Sequence, residues 1–275
     1  GVQTWALPIC EYKIRVSAAS AATYQPDYSL FTAVSGLTLS TTDGGNSVTE
    51  GGRDDSFTVR LNTRPTSDVT VNFSNPSGDV TLTPNSVVFT SANWNTPVSV
   101  VISAIDDFVQ QSSPRTANIG YSTTSLHAAY NGLSDLSATT VEVTDNDVAG
   151  VTRTETDGST AVSETGPTSD KVFFVLDTQP TADVIITLTI DTAQATLDAA
   201  SLTFTSLNWS VSQSVVVTAV DDNLDETDPH TITLTAAIAS GDSFYNAIAD
   251  IDTTVSISDN NYTLTVNAGL NGSIT

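Results

Sequence analysis

The chain has 275 residues, 39% of them hydrophobic and 14% charged, which excludes intrinsic disorder and leaves room for two domains of ordinary size. Its 31 acidic and 8 basic residues give a net charge of −23. This balance excludes nucleic acid or an anionic membrane as the default partner, because both attract basic surfaces. It favours cations, although a solubilising acidic surface would have the same composition. No apolar run approaches the ~20 residues that a membrane-spanning helix needs.

The two ends of the chain fall outside the regular pattern. Residues 1–35 are interpreted as a stretch of doubtful origin (1–9), left out of the fold reasoning, followed by the last strands of a preceding β domain. Residues 262–275 predict the first strand and turn of a further, truncated β unit. Because the chain starts at Gly1 and contains no Met, we expect it to be an internal fragment of a longer protein.

Between these ends, hydrophobic residues alternate with polar ones almost everywhere. Alternating segments rich in β-branched residues stand at 57–61, 69–73, 98–104, 184–190 and 214–220. Such alternation is typical of half-buried antiparallel strands. Turn-forming sequences such as Asp43-Gly44-Gly45 and Asp157-Gly158 separate the strands. Short strands about every 8–12 residues over roughly 110 residues predict a β-sandwich.

An internal repeat divides the chain into two copies. Residues 86–107 (SVVFTSANWNTPVSVVISAIDD) return as residues 201–222 (SLTFTSLNWSVSQSVVVTAVDD), so that Trp209 lies 115 residues after Trp94. A period of this length is that of a complete domain, not of a solenoid repeat. The sequence therefore predicts one sandwich over residues 36–149 and a second over residues 150–261. We interpret the two tryptophans as residues that fill the core or a corner of the sandwich, because each follows F-T-S-x-N and precedes a strand.

Acidic residues recur at the ends of the predicted strands in both copies. They are Glu50, Asp106, Asp107, Asp145 and Asp147 in the first copy and Glu164, Asp221, Asp222 and Asp259 in the second. In a sandwich every second strand end lies at the same pole, so we expect these carboxylates to converge there. Calcium takes 6–8 oxygen ligands from flexible carboxylate loops. The alternative is that the acids have a purely structural role as capping and turn residues.

The ordered motifs resemble those of Calx-β modules, more narrowly the Calx-β-like repeats of bacterial surface and secreted proteins. T-E-G, F-x-V-x-L, G-D-V, F-T-x-x-N-W, D-D and D-N-D follow one another within residues 37–262; F-T-x-x-N-W and D-D recur unchanged in the second copy, and D-N-D recurs there as Asp259-Asn260-Asn261. The resemblance implies an all-β chain of two tandem immunoglobulin-like antiparallel β-sandwiches that bind Ca²⁺ in loops at one pole. Carried over by position, the implied metal ligands are Glu50, Asp79, Asp106, Asp107, Asp145, Asp147, Glu164, Asp221, Asp222, Asp225, Glu226 and Asp259.

Both copies depart from the family pattern, and the second has Asn261, which can still offer a carbonyl oxygen, where the first has Asp147. The acidic pair that follows D-D is kept as Asp225-Glu226 in the second copy but is Gln110-Gln111 in the first. Conversely, Gln194 stands in the second copy where the first has Asp79. Fewer charged ligands imply weaker calcium binding, in the range typical of extracellular modules.

Function is expected to be non-enzymatic, since no nucleophile–base arrangement recurs in both copies. The sequence favours a calcium-binding segment of a large bacterial cell-surface or secreted protein of the adhesin or stalk type, in which calcium stiffens the joint between modules. Its partners would be calcium ions, neighbouring β modules and cell-surface or matrix ligands. Two alternatives stay open: non-catalytic accessory modules of a secreted hydrolase, and a carbohydrate-binding module, which the mainly Thr, Ser and Asn outward positions disfavour.

Overall fold

The computed structural model describes residues 34–42 and 44–262, so the strands expected before residue 34 and the unit expected after residue 262 lie outside the described residues. The described residues from Ser35 to Tyr262 belong to one compact unit. Within it, two successive sets of strands each form two sheets. We call residues 36–149 module 1 and residues 150–261 module 2, after the predicted boundaries.

Module 1 consists of nine strands and one short 3₁₀ turn at Ala128–Tyr130. The strands are β1 (Leu37–Thr41), β2 (Asn46–Thr49), β3 (Asp55–Leu61), β4 (Val69–Ser74), β5 (Val80–Thr83), β6 (Ser86–Phe89), β7 (Val98–Ala104), β8 (Arg115–Ser125) and β9 (Ser134–Thr144).

Module 2 repeats this order with nine strands, a 3₁₀ turn at Thr156–Gly158 and a short helix α1 at Ser243–Asn246. The strands are β10 (Val151–Glu155), β11 (Thr160–Ser163), β12 (Ser169–Leu176), β13 (Val184–Thr189), β14 (Ala195–Leu197), β15 (Ser201–Phe204), β16 (Gln213–Ala219), β17 (His230–Ser240) and β18 (Ile251–Ser258).

Each module is a sandwich of a four-stranded and a five-stranded sheet. The sheet orders are β1-β3-β7-β5 and β2-β9-β8-β4-β6 in module 1, and β10-β12-β16-β14 and β11-β18-β17-β13-β15 in module 2. The predicted all-β sandwich architecture is confirmed. One pair per module departs from antiparallel pairing, because β2 lies parallel to β9 and β11 parallel to β18. β1 belongs to the four-stranded sheet, whereas β2 lies at the edge of the five-stranded sheet, next to β9.

The alternation seen in the sequence corresponds to one buried face per strand. In β4, Val69, Val71 and Phe73 point inward while the residues between them do not, and β13 repeats this with Val184, Ile186 and Leu188. Each module has its own core of such side chains. Burying apolar area at roughly 25 cal/mol per Å² is what holds the two sheets of each sandwich together.

The two tryptophans are half-buried and pack against the edge of their cores. The carbonyl oxygen of Trp94 accepts a hydrogen bond from the backbone N–H of Leu61 at 2.9 Å, and that of Trp209 accepts one from Leu176 at 3.1 Å. Each tryptophan therefore closes the end of the four-stranded sheet, in keeping with the corner role inferred from the sequence.

The offset between the two copies changes by one residue at a place where strand pairing is locally irregular. Val141 follows the buried Tyr130 by 11 positions, whereas Val255 follows Tyr245 by 10. The extra residue lies in a bulge, where residues 136–138 of β9 face the single residue Gly120 of β8. An added Cβ at Gly120 would lie 2.7 Å from the carbonyl oxygen of Asp135, so the bulge requires glycine there.

Candidate metal centres

The topology brings the acidic segments of module 1 to one pole. Glu50 directly follows β2, and its N–H donates to the carbonyl oxygen of Thr144, the last residue of β9, at 3.0 Å. Because β2 and β9 are parallel, the next residue along the chain after β9, Asp145, emerges at the same end. β8 runs antiparallel to β9, so its first residue, Arg115, is also at this pole.

Three of the predicted residues of module 1 form a compact group. Glu50, Asp145 and Asp147 each offer one carboxylate oxygen, and these oxygens lie within 4.8 Å of one another. Oxygens bound to one calcium ion at 2.3–2.6 Å are separated by at most about 5 Å. Glu50 Oε2 and Asp147 Oδ2 are buried and have no hydrogen-bond partner within the described part of the chain. The group can therefore accept a cation without breaking an existing bond to these two oxygens.

The other acids of module 1 shape the loops around this group. Asp107 Oδ1 accepts from the N–H of Val109 at 2.7 Å, and its Oδ2 accepts from Gln111 Nε2 at 3.1 Å. The exposed Asp106 accepts from Asn146 Nδ2 at 3.3 Å. Asp107 is thus held by its own loop, while Asp106 lies on the solvent side.

Asp79 is engaged in an ion pair that the sequence analysis did not anticipate. Arg115 Nε donates to Asp79 Oδ1 at 3.0 Å, and Arg115 Nη2 donates to Glu50 Oε1 at 2.5 Å. A guanidinium group therefore lies between two of the predicted ligands. Arg115 is the only Lys or Arg between residues 65 and 152, and this isolated positive charge at a strand start was the signal available in the sequence.

The corresponding group in module 2 is Glu164, Asp222 and Glu226, again with oxygens within 4.8 Å of one another. Glu164 is 0% exposed. Both of its carboxylate oxygens, and Glu226 Oε2, are buried without a hydrogen-bond partner among the described residues. Burying an unpaired carboxylate costs several kcal/mol, so this pole is built around a charge that the described residues leave uncompensated.

The remaining acids of module 2 border this group. Asp259 accepts from the N–H groups of Glu226 and Asn261, each at 2.8 Å, and its charge acts on Glu164. Asp221 is exposed and accepts from Asn260 Nδ2 at 3.0 Å. The exposed Asp225 lies outside the compact group.

The pKa shifts reflect crowding of negative charge. Burial, followed by the charges of Asp259, Glu226 and Asp222, raises the pKa of Glu164. Burial also raises the pKa of Asp147, with Asp145, Asp107 and Asp106 adding to it. Burial raises the pKa of Glu50 although Arg115 opposes the shift. Such shifts are expected where carboxylates share a site.

Module 1 contacts module 2 through the loop that follows Asp107. The carbonyl oxygen of Phe108 accepts from the N–H of Gln179 at 2.7 Å, and its ring lies 5.9 Å from that of Trp209, centroid to centroid. Gln110 Oε1 accepts from the N–H of Ala149, between the modules, at 2.6 Å. The acidic pole of module 1 and the joint therefore share one loop.

Within the described residues, no helix has the length and apolar character required to cross a membrane. No family model and no curated protein matches the chain.

Solved structures similar to the chain include three with tandem or paired modules. The D0-D1 domain of intimin has 16% identity and a TM-score of 0.27, covering 80% of this chain and 97% of that chain. CBD12 from CALX1.2 has 14% identity and a TM-score of 0.28, covering 75% and 84%. The fibronectin(III)-like modules of Clostridium thermocellum CbhA have 9% identity and a TM-score of 0.23, covering 82% and 94%.

A Calx-β structure is thus among the neighbours, in agreement with the resemblance of the motifs. At these identities and scores the similarity carries no inference about function. The fold is read from the strands and sheets themselves.

Proposed function

We propose that this chain is a non-enzymatic, calcium-binding tandem β-sandwich segment of a large bacterial cell-surface or secreted protein of the adhesin or stalk type. Calcium binds at the acidic pole of each module and stiffens the joint between them. The ligands proposed in module 1 are Glu50, Asp107, Asp145 and Asp147, and those in module 2 are Glu164, Asp222, Glu226 and Asp259. Asp79, Asp106, Asp221 and Asp225 supply negative charge at or near the same poles.

One observation supports this proposal above the others. Glu164 is fully buried, and both of its carboxylate oxygens lack a hydrogen-bond partner among the described residues. A carboxylate acting as a loop cap would be bonded to backbone N–H groups, as Asp259 is. Glu164 instead faces Asp222 and Glu226, and a divalent cation bound by these groups would compensate the buried charge.

The chemistry of the ligand set favours calcium and an extracellular setting. All proposed ligands are carboxylate oxygens, which suit hard cations. Extracellular calcium modules bind calcium with dissociation constants of about 10⁻⁴–10⁻³ M. Such sites fill outside cells, where calcium is abundant.

The proposed stiffening rests on the small size of the joint. Phe108 remains 65% exposed despite its contact with Trp209. Interfaces that are neither large nor hydrophobic allow relative domain motion by default. Asp107, which directly precedes Phe108, and Asp147, next to the linker residues, belong to the acidic pole of module 1. A cation there would hold the loop and the linker together.

Calorimetric calcium titration of the full chain tests the proposal, alongside thermal unfolding with calcium or with chelator. We expect calcium to release or absorb heat and to raise the melting temperature of the wild type, because it binds only the folded protein. Glu164→Gln, which removes one ligand charge, should abolish the module 2 share of both effects.

The matched control is Asp183→Asn, an exposed acid at the start of β13, at the opposite pole of module 2. It should leave both measurements unchanged. Equal calcium responses in the wild type and Glu164→Gln would contradict a site at Glu164.

A further inference from the structure

The most informative difference between the modules is the residue that opens the eighth strand of each. Arg115 pairs with Val143 of β9, and His230 pairs with Ile257 of β18. The parallel edge strand of each module pairs with the same residue of the central strand, since Val48 pairs with Val143 and Val162 with Ile257. Arg115 and His230 are therefore structurally equivalent. Each begins a strand at the acidic pole.

In module 1 this position supplies a permanent positive charge. The Arg115 guanidinium donates to Glu50 Oε1 at 2.5 Å and to Asp79 Oδ1 at 3.0 Å, and its side chain is only 17% exposed. The Glu50 side chain is fully buried. One of its oxygens is thus occupied by Arg115, while the other, Oε2, has no hydrogen-bond partner within the described residues.

In module 2 no Lys or Arg is paired with the equivalent glutamate, Glu164, among the described residues. Gln194 replaces Asp79, and neither ring nitrogen of His230 has a hydrogen-bond partner in the part of the chain that the structure describes. The only Lys or Arg residues between 150 and 262 are Arg153 and Lys171, and Arg153 is paired with Glu155. Both oxygens of the buried Glu164 accordingly remain available.

We propose that Arg115 is a built-in counter-ion that weakens divalent-cation binding in module 1, so that the two sites fill in sequence, module 2 first. This inference rests on the proposed function. In module 1 the positive charge of Arg115 repels an incoming cation, and one oxygen of Glu50 already accepts a hydrogen bond from Arg115. In module 2 neither oxygen of Glu164 is taken by such a pairing among the described residues. The site beside the joint is therefore the weaker one, and the joint responds at a higher calcium concentration than module 2 does.

The test is calorimetric calcium titration of the full-length wild type, Arg115→Gln and Arg115→Lys. The wild type should show two classes of site, the tighter one lost in Glu164→Gln and the weaker one lost in Glu50→Gln. Arg115→Gln removes the competing charge and should tighten the weaker site by about tenfold or more, as expected when a like charge close to a bound cation is removed. Arg115→Lys keeps the charge and should leave that site weak.

A second measurement needs no calcium. Thermal unfolding in chelator of Glu50→Gln, Arg115→Gln and the double variant forms a double-mutant cycle. The two substitutions should be strongly coupled, because Arg115→Gln leaves the buried Glu50 without its counter-ion, whereas Glu50→Gln leaves Arg115 paired with Asp79 alone. Additive effects would overturn the counter-ion role.

The two proposals fail in different ways. Absence of calcium binding in the wild type contradicts the proposed function. In that case, binding gained by Arg115→Gln alone would still support the counter-ion, and no gain would overturn it. If the wild type binds but Arg115→Gln leaves the weaker site unchanged, the proposed function stands and the inference about Arg115 is wrong.

Discussion

At the scale of single residues, the same glutamate has two different environments in the two modules. Glu50 and Glu164 each follow the parallel edge strand, and each donates its N–H to the last residue of the neighbouring strand. Glu50 is paired with Arg115, whereas Glu164 faces other acids. A sequence repeat thus preserves the backbone position of a carboxylate, while in module 1 a residue 65 positions away supplies its counter-ion.

The raised pKa of Glu164 predicts a pH-dependent effect of Glu164→Gln in the absence of divalent cations. Folding favours the protonated form of Glu164, whose ordinary pKa is 4.5. Its stabilising contribution is therefore present below pH 4.5 and is lost as the pH rises through the higher pKa of the folded protein. Glutamine mimics the protonated form, so in chelator Glu164→Gln should be more stable than the wild type at pH 7 and closer to it at pH 4.

Denaturant unfolding at both pH values measures this difference. The lowered pKa of Asp259, caused first by the N–H of Asn261 and then opposed by burial, works in the opposite sense. That contribution is lost as the pH falls, but Asp259 is present in both proteins. A variant less stable than the wild type at pH 7 in chelator would contradict the prediction.

At the scale of strands, the ends of the strands place the acidic residues at one pole. These ends are equivalent in the two modules, although the offset between the copies changes by one residue in places. Module 2 has one more residue than module 1 between its glutamate and the equivalent aspartate of the next strand, since Asp170 follows Glu164 by six positions and Asp55 follows Glu50 by five. Module 1 in turn has one more residue between Tyr130 and Val141, and the bulge at Gly120 accommodates it. Both insertions leave the pairing beside the acidic pole unchanged.

The bulge predicts that Gly120→Ala destabilises module 1. The added Cβ would approach backbone atoms of Asp135 and Leu136 at 2.7 and 2.8 Å, and backbone cannot easily move away. Strain of this kind costs about 1–3 kcal/mol. Denaturant unfolding of the full chain measures the loss.

The matched control for this change is Thr235→Ala, at the equivalent position of β17, where β17 and β18 pair without a bulge. It removes only the exposed hydrogen bond of Thr235 to Asp252 and should cost within about 0.5 kcal/mol. Equal losses in the two variants would show that the bulge does not require glycine.

At the scale of the whole molecule, the proposed effect of ion binding is on the stiffness of the joint between the two modules. Its described contacts are one ring contact and a few hydrogen bonds, and they involve the loop between Asp107 and Gln111. Gln111 also donates its N–H to Asp145 Oδ2 at 2.6 Å. The loop thus connects the acidic pole to module 2.

Small-angle scattering of the full chain should detect the stiffening. Calcium at millimolar concentration should narrow the distribution of interatomic distances relative to chelator, because clustered acids beside the joint no longer repel one another. Phe108→Ala should broaden the distribution in calcium by removing the contact with Trp209. The exposed Asp183→Asn serves as the control. An identical maximum dimension with calcium and with chelator would defeat the stiffening proposal.

The sequence by itself determined the strands, the two tandem sandwiches and the positions of the acids along the chain. It could do so because alternation of buried and exposed residues is a local property, and because the 115-residue repeat marks equivalent positions. The burial of Phe57, for example, follows from alternation alone, and that of Val172 follows from its place 115 residues after Phe57.

Only the tertiary structure decided which acids meet and what faces them. Arg115 is 65 residues from Glu50 and 36 from Asp79, and no local pattern links these three. The parallel edge strands and the contact of Phe108 with Trp209 are likewise long-range features. Charge compensation at a pole depends on distances in space, and these are set only when strands far apart in the chain pair with one another.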